Sequence, residues 1–191
     1  MTNAQAANEK ITVLHEGKYL RTVCRGTWEF VERRNISGIV LILAVTPAEE
    51  AVLVEQYRPP MGNNVIELCA GLAGDVQGAE DESLLAAAQR ELEEECGYRA
   101  SCWEHVMTGP PAQGLCDEVL TFYLAWDLTR VGPGGGDETE ELIVHHVPLA
   151  ELDDWLKEQA QRGKFVDPKI YTALYFWYHR QASWSRQQTG K

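Results

Sequence analysis

The segment ESLLAAAQRELEEECGY, residues 82–98, decides the fold of this 191-residue chain. At 3.6 residues per turn, Leu84, Leu85, Ala88 and Leu92 fall on one side, which predicts an amphipathic helix with an apolar stripe to bury. We expect the strands that flank this segment to form a sheet that covers the stripe.

The ends of this helix are also marked in the sequence. Asp81 is the predicted N-cap, and Glu82 suits the positive end of the helix dipole. Gly97 is the predicted C′ residue, because glycine adopts the left-handed conformation that ends a helix.

Acidic residues crowd the C-terminal half of the helix, although negative charge is favoured at its other end. Glu91 and Glu95, four residues apart, repel each other at a cost of about 0.2–0.5 kcal/mol. A hard divalent cation removes this conflict, because oxygen ligands one turn apart can converge on it. Arg90 is placed to orient Glu94 by an ion pair. The alternative is an ordinary solvated charged face.

The fixed positions of the helix resemble the Nudix box, whose pattern is G x5 E x7 R E U x E E x G U, with U a bulky apolar residue. Every position from Glu82 to Tyr98 agrees with this pattern. The leading glycine differs, because Val76 stands six residues before Glu82. We take Gly71, eleven residues before Glu82, as its equivalent, which enlarges the loop by five residues.

The resemblance implies an α/β fold of the Nudix type, an α/β/α sandwich around a mixed sheet. It also implies a pyrophosphohydrolase that depends on Mg²⁺, with Mn²⁺ as a possible substitute. Glu91, Glu94 and Glu95 would be the carboxylates that bind the metal.

The composition excludes several classes of protein. A net charge of −12 argues against nucleic acid as a partner, since its backbone needs clustered Lys and Arg. Five cysteines without CxxC spacing indicate a reducing compartment. The longest apolar run, 38–45, is too short to span a bilayer, and the N-terminus has no apolar signal core. We therefore expect a cytoplasmic protein without membrane contact.

The N-terminal third begins with short strand-like segments at 11–16, 19–25 and 28–34, separated by turn signals. Three such antiparallel strands bury little core alone, so we interpret residues 1–36 as an N-terminal β element that mediates dimerisation. Residues 1–9 of this element are expected to be a polar tail. Residues 37–187 are predicted to form the Nudix hydrolase domain, and 188–191 a second tail.

The remaining segments predict a mixed sheet with helices on both sides. Residues 38–46 form an apolar run rich in β-branched residues, typical of a central strand buried on both faces. Further strands are predicted at 51–58, 65–72, 101–109, 119–128 and 141–149, and helices at 149–161 and 167–183.

Two further features are interpreted as structural. Tyr171, Leu174, Tyr175 and Tyr178 form an aromatic stripe at helical spacing, which is predicted to lie in the core. The glycine-rich segment 131–141 lacks a GK[ST] sequence, so it predicts a mobile surface loop and not a phosphate cradle.

Three segments outside the box are similar to ADP-ribose and nucleoside-diphosphate-sugar pyrophosphatases, which typically contain QYR, E-x-P-A-G and S-P-G-x-[ST]-[DE]-E. Here the segments are EQYRPP at 55–60, IELCAG at 66–71 and a loop ending GLCDE at 114–118. Cys69 replaces the usual proline, Gln113 the loop proline and Cys116 the Ser or Thr. N-terminal strands commonly exchange across a dimer in this group, so the resemblance implies a homodimer.

Carried over to matching positions, the resemblance implies a role for several residues. Arg58 would contact a substrate phosphate, and Glu118 would position or deprotonate the attacking water. Trp28 is either a hydrophobic anchor, in the core or at a dimer contact, or a platform for a nucleobase. The predicted catalytic residues are Glu118, Glu94 and Arg90; the substrate-binding residues are Arg58, Glu67 and Trp28; the metal ligands are Glu91, Glu94, Glu95 and the Ala70 carbonyl.

Alternatives remain open at this point. Arg58 could be a plain surface charge, and Asp117, Glu140 or Glu141 could activate water in place of Glu118. The predicted reaction is hydrolysis of a nucleoside diphosphate sugar, with ADP-ribose giving AMP and ribose 5-phosphate. The alternatives are hydrolysis of GDP-mannose, a nucleoside triphosphate, CoA or an RNA 5′ end, and a non-catalytic nucleotide-sugar sensor.

Overall fold

The computed structural model describes residues 9–136 and 141–188, and its first element is a small antiparallel sheet. This sheet has the order β1 (Ile11–Glu16), β2 (Leu20–Arg25) and β3 (Trp28–Arg33), as predicted. The tails predicted at 1–9 and 188–191 lie outside the described residues except for their innermost residues, and Glu140 lies outside them as well.

The larger sheet has eight strands and is mixed, which confirms the predicted α/β class. Its main order is β11-β6-β5-β4-β9-β8, with β10 paired to β5 and β7 paired to β4. The pairs β4/β9 and β6/β11 are parallel. The strands are β4 (Gly38–Val45), β5 (Glu50–Arg58), β6 (Asn63–Glu67), β7 (Cys69–Ala73), β8 (Tyr98–Gly109), β9 (Leu120–Arg130), β10 (Ile143–Pro148) and β11 (Phe165–Val166).

Helices cover both faces of this sheet. Helix α1 (Leu84–Cys96) packs on one face, where Val40 and Ile42 of β4 point. Helices α2 (Leu152–Gln161) and α3 (Lys169–Gln188) pack on the other, against Leu41 and Leu43. Strand β4 is therefore buried on both faces, as its unbroken apolar run predicts. None of the helices in the described part of the chain is long and apolar enough to cross a membrane.

The strand predicted at 65–72 is in fact two strands, which corrects that prediction. Strand β6 pairs with β5 up to Glu67, and β7 pairs with β4 from Cys69 onward. The chain changes partner at the buried Leu68, and continuous hydrophobicity gives no sign of such a change. The break places Glu67 and Ala70 at the edge of one cleft, described below.

Helix α1 differs from its prediction at its N-terminus. The N-cap is Ser83 and not Asp81, because the Ser83 hydroxyl accepts a hydrogen bond from the amide of Ala86. The predicted burial of Ala88 and Leu92 is confirmed, and Leu84 is partly buried, whereas Leu85 is exposed. The buried stripe consists of Ala87, Ala88, Glu91, Leu92, Glu95 and Cys96. Gly97 ends the helix in the left-handed conformation, with φ of 73°, as predicted.

The described part of the glycine-rich segment, residues 131–136, lies against the C-terminus of α1. The amides of Gly135 and Gly136 donate to the carbonyls of Glu95 and Glu94, at 2.7 and 3.2 Å. These bonds satisfy carbonyls that the last turn of a helix leaves without partners. The segment thus caps the helix that carries the acidic residues, a contact that the sequence did not predict.

The predicted burial of the aromatic stripe in α3 is wrong. Tyr171, Tyr175 and Tyr178 are exposed, whereas Ile170 and Ala173 are buried against the sheet. The buried face of α3 is therefore rotated away from the tyrosines, whose amphipathic rings tolerate contact with water. Of the four stripe residues, Leu174 alone is buried.

Candidate active site

One cleft of about 400 Å³ gathers most of the predicted site residues, and we call it the acidic cleft. It lies where β6, β7 and α1 meet the loop before β9. The predicted residues that line it are Arg58, Glu67, Ala70, Glu91, Glu95 and Glu118, and it is also lined by Arg33, Gly71, Asp75 and Lys169.

Two acids of the box project from the buried stripe of α1 into the acidic cleft. Glu91 and Glu95 lie one turn apart and are only 9% and 6% exposed. The amide of Ala70 donates to Glu95 Oε2 at 3.0 Å, which fixes this carboxylate beside β7. Gly71 lies against Glu91 so closely that a Cβ at this position would overlap with the Glu91 side chain. The glycine that we matched to the box therefore makes room for a carboxylate.

The guanidinium of Arg90 donates hydrogen bonds to three acidic residues at and near the start and middle of α1. Its Nη1 donates to Glu91 at 2.9 Å and to Glu94 at 3.0 Å, and its Nη2 donates to the Leu72 carbonyl at 2.9 Å. Glu82 accepts further hydrogen bonds from the same guanidinium. Burial opposes the charge of Arg90, but these carboxylates outweigh it and hold its pKa above the ordinary value. Glu94 is half-exposed and, unlike Glu91 and Glu95, does not line the acidic cleft.

Burial raises the pKa of Glu91 from 4.5 to about 7, and Arg90 only partly opposes this shift. An acid whose pKa is higher in the folded state stabilises the fold below its unfolded pKa and loses this contribution as the pH rises through the folded pKa. We expect the free energy of unfolding of the metal-free protein to fall by up to about 3 kcal/mol between pH 4.5 and 7 on account of Glu91.

Denaturant unfolding across this pH range, in EDTA, tests the expectation. The Glu91→Gln variant cannot titrate at this position, so its stability should fall less with pH than that of the unsubstituted chain. Parallel pH dependences of the two proteins would contradict a raised pKa at Glu91.

Two ion pairs also line the acidic cleft. Arg58 Nε donates to Glu67 Oε2 at 2.7 Å, and Arg33 Nε donates to Glu118 Oε1 at 2.9 Å. Asp117, an alternative to Glu118, is exposed and is not among the residues that line the acidic cleft. Burial and the nearby carboxylate of Glu32 raise its pKa. Glu141 is exposed and also does not line the acidic cleft.

Trp28 lies apart from the acidic cleft. Its side chain is not in the core, because the residue is 61% exposed. Its indole Nε1 donates to the Gly114 carbonyl at 3.2 Å, so the ring is held by the loop that leads to Glu118. It lines a second hollow together with Arg25, Phe30, Gln113, Cys116 and Asp117.

The donors on the wall of the acidic cleft fit a hard divalent cation. The carboxylates of Glu91 and Glu95 and the backbone of Ala70 line the same space, and oxygen donors of this kind suit Mg²⁺ or Mn²⁺. Two buried acids on one helix face are costly without a positive charge between them. Arg90 supplies part of that charge to Glu91 and does not line the acidic cleft, so the space between the two carboxylates and Ala70 suits a cation.

Arg33, Asp75 and Lys169 also line the acidic cleft, and they were not predicted as site residues. Asp75 lies 3.7 Å from Arg90, and Lys169, the first residue of α3, pairs with Asp167. Arg33 forms an ion pair with Glu118, which lies 85 positions away in the sequence. No local pattern marks such a pair, although the basic end of WEFVERR could have drawn attention to Arg33.

The sequence and the fold of this chain are similar to those of known proteins. The sequence model of the NUDIX domain matches residues 37–172. A methanol dehydrogenase activator of Bacillus methanolicus is 31% identical over 73% of this chain and 71% of its own length. An ADP-ribose pyrophosphatase of Bacillus subtilis is 35% identical over 72% of this chain and 71% of its own length. The crystal structure of an ADP compounds hydrolase superposes with a TM-score of 0.64, covers 94% of this chain and 93% of its own, and is 21% identical.

Proposed function

The chain belongs to the Nudix family, and we propose that it hydrolyses the pyrophosphate bond of a nucleoside diphosphate sugar. ADP-ribose is the first candidate, with AMP and ribose 5-phosphate as products. The observation that carries the proposal is the meeting of Glu91 and Glu95 with Arg58 and Glu118 around one cleft. The name of the Bacillus subtilis relative, an ADP-ribose pyrophosphatase, supports the choice of substrate.

A pyrophosphate linkage carries negative charge that repels the attacking water, so its hydrolysis needs positive groups and a base. Glu91, Glu95 and the Ala70 carbonyl would hold Mg²⁺, with Glu94 as a further carboxylate beside them. When bound, Mg²⁺ would offset the charge of the phosphate oxygens and lower the pKa of bound water, and Mn²⁺ is expected to substitute for it.

The two ion pairs that line the acidic cleft are assigned to the phosphate and to the attacking water. Glu67 holds Arg58 through Nε, which aims the guanidinium fork at a phosphate oxygen. Glu118 is assigned as the base that accepts a proton from the attacking water, because it lines the acidic cleft whereas Asp117 and Glu141 do not. Arg33 holds Glu118 in position through the 2.9 Å ion pair. Arg90 would act by orienting Glu91 and Glu94, because it donates hydrogen bonds to both and does not line the acidic cleft.

Trp28 is assigned to the nucleobase. Its exposed indole face can stack on any base, and its hydrogen bond to Gly114 holds the ring in place. The neighbouring Phe30 and Arg25 offer a second aromatic ring and a positive charge in the same hollow.

The protein is further proposed to be a cytoplasmic homodimer that associates through its N-terminal sheet. Support comes from apolar side chains that β1 and β2 expose, because such side chains favour a contact with another surface. These are Val13, Leu14 and Leu20, with Tyr19 beside them.

The test is chromatographic detection of nucleotide products from ADP-ribose, GDP-mannose, UDP-glucose, ATP and CoA, with Mg²⁺, Mn²⁺ or EDTA. Metal-dependent cleavage of nucleotide sugars, with ADP-ribose fastest and ATP and CoA uncleaved, is the expected result. Preferential cleavage of ATP or CoA would overturn the substrate class. Binding of ADP-ribose without cleavage would support a sensor and would overturn the catalytic assignment.

A further inference from the structure

A second group of ligand atoms lies directly behind the acidic cleft. Cys69 of β7, Glu95 of α1 and Cys96, the last residue of α1, each place one ligand atom within 4.8 Å of the other two. Both cysteines are 0% exposed, and Glu95 is 6% exposed. Residues from two distant parts of the chain thus bring two sulfurs and one carboxylate oxygen together, with Glu95 common to this group and to the acidic cleft.

The chemistry of this group differs from that of the acidic cleft. Mg²⁺ and Mn²⁺ prefer oxygen, whereas a pair of thiolates selects softer ions, above all Zn²⁺ and its analogue Cd²⁺. Zinc accepts both cysteine sulfur and carboxylate oxygen as ligands. We propose that Cys69, Cys96 and Glu95 form a binding site for a soft divalent cation, Zn²⁺ or Cd²⁺.

The surroundings define how such an ion is bound. The two thiols are packed in the apolar cluster beneath α1, next to Leu92 and Ile42. Glu95 lines the acidic cleft, so the ion enters from there and reaches the sulfurs past this carboxylate. Binding releases one proton from each thiol, and the two thiolates with the carboxylate leave one of the four positions of a tetrahedral ion for water from the cleft.

Because Glu95 belongs to both groups, an ion bound by the cysteines affects catalysis; this step rests on the proposed function. Glu95 cannot hold the soft ion between β7 and α1 and the catalytic ion in the acidic cleft with the same geometry. Zn²⁺ therefore inhibits the Mg²⁺-dependent reaction by withdrawing a ligand, and raising the Mg²⁺ concentration relieves the inhibition.

Cadmium binding to the reduced, metal-free protein tests the site without any turnover. The chain with Cys24, Cys102 and Cys116 replaced by Ala keeps the proposed pair as its sole cysteines. We expect one Cd²⁺ per chain, with the ultraviolet charge-transfer band of cadmium thiolate. Adding Cys69→Ala or Cys96→Ala should remove the band and weaken Cd²⁺ binding by at least about 100-fold. A band of equal strength in either variant would overturn the proposal.

Two measurements keep the result interpretable if a buried variant folds poorly. Cadmium-113 NMR of the unsubstituted chain should report a two-sulfur environment, and a resonance typical of oxygen ligands alone would overturn the proposal. Zn²⁺ inhibition of the unsubstituted enzyme should weaken in Cys69→Ala, each protein being compared with its own rate in Mg²⁺. Cd²⁺ binding without any hydrolysis would leave the soft-ion site standing and would overturn the proposed function; hydrolysis without thiolate-bound Cd²⁺ would do the reverse.

Discussion

Replacing Glu95 by glutamine is expected to lower kcat for ADP-ribose by about 10²–10⁴-fold with the fold intact, since a bound metal contributes several kcal/mol of transition-state stabilisation. The amide has nearly the same size as the carboxylate but no negative charge with which to hold a cation. Its oxygen can still accept the hydrogen bond that the Ala70 amide donates, so the contact between α1 and β7 persists. Steady-state kinetics together with thermal unfolding measure both effects.

The matched control for this substitution is Glu93→Gln. Glu93 lies on the same helix, but it is exposed and pairs with Arg99, away from the acidic cleft. We expect its kcat to stay within about twofold, because an exposed ion pair is worth at most about 1 kcal/mol to stability. A fully active Glu95→Gln enzyme would refute the metal assignment. Glu94→Gln is likewise expected to lower kcat by orders of magnitude with the fold intact, although Glu94 accepts a hydrogen bond from Arg90 and does not line the cleft.

Gly71→Ala is expected to reduce activity about 100-fold, while the free energy of unfolding changes by no more than about 1 kcal/mol. A methyl group at this position would occupy the space of the Glu91 carboxylate. Because the obstructed atoms are the end of a flexible side chain, Glu91 can swing away without unfolding the protein. The swing removes a metal ligand, so the apparent affinity for Mg²⁺, measured from the metal dependence of the rate, should fall as well.

Gly132→Ala is the control for this prediction, because an added Cβ there meets no atom within 4 Å. Unchanged kinetics are expected of this variant. If Gly71→Ala retained full activity and its Mg²⁺ dependence, the close approach of Gly71 to Glu91 would have no part in the reaction. A large loss of stability would show instead that the strand itself cannot accept the methyl group.

Elements with strong periodic signals were predicted well from the sequence. The box helix, its terminal Gly97 and the doubly buried β4 follow from local composition, because each is determined by residues within a few turns or one strand. The errors arose where contacts between residues far apart in the sequence determine strand pairing or the buried face of a helix. The hydrophobic run at 65–72 gives no sign that the chain changes partner at Leu68. The tyrosines of α3 share a helical face, but Ile170 and Ala173 fit the sheet better.

The residues of the candidate site also fall into two groups, those that the local sequence predicts and those that only the fold brings together. The helix spacing and the resemblance to the Nudix box together pointed to Glu91 and Glu95, and both line the cleft. The position of Arg90 one turn before Glu94 predicted their ion pair. Arg33 and Lys169 could not be predicted, because they reach the cleft from segments far from the box in the chain. The cysteine pair behind the cleft was also hidden, since Cys69 and Cys96 have no characteristic spacing and become neighbours through the packing of α1 on β7.

The N-terminal sheet and the loop before β9 are joined through their backbones. The Val31 amide donates to the Leu115 carbonyl at 2.9 Å, and the Asp117 amide donates to the Val31 carbonyl at 3.4 Å. Two residues after Val31, Arg33 adds the ion pair to Glu118. A ligand that binds β3 more tightly in one position would favour the matching position of Glu118, because the two elements share these contacts. The N-terminal sheet is therefore connected directly to the acidic cleft through the loop that carries Glu118.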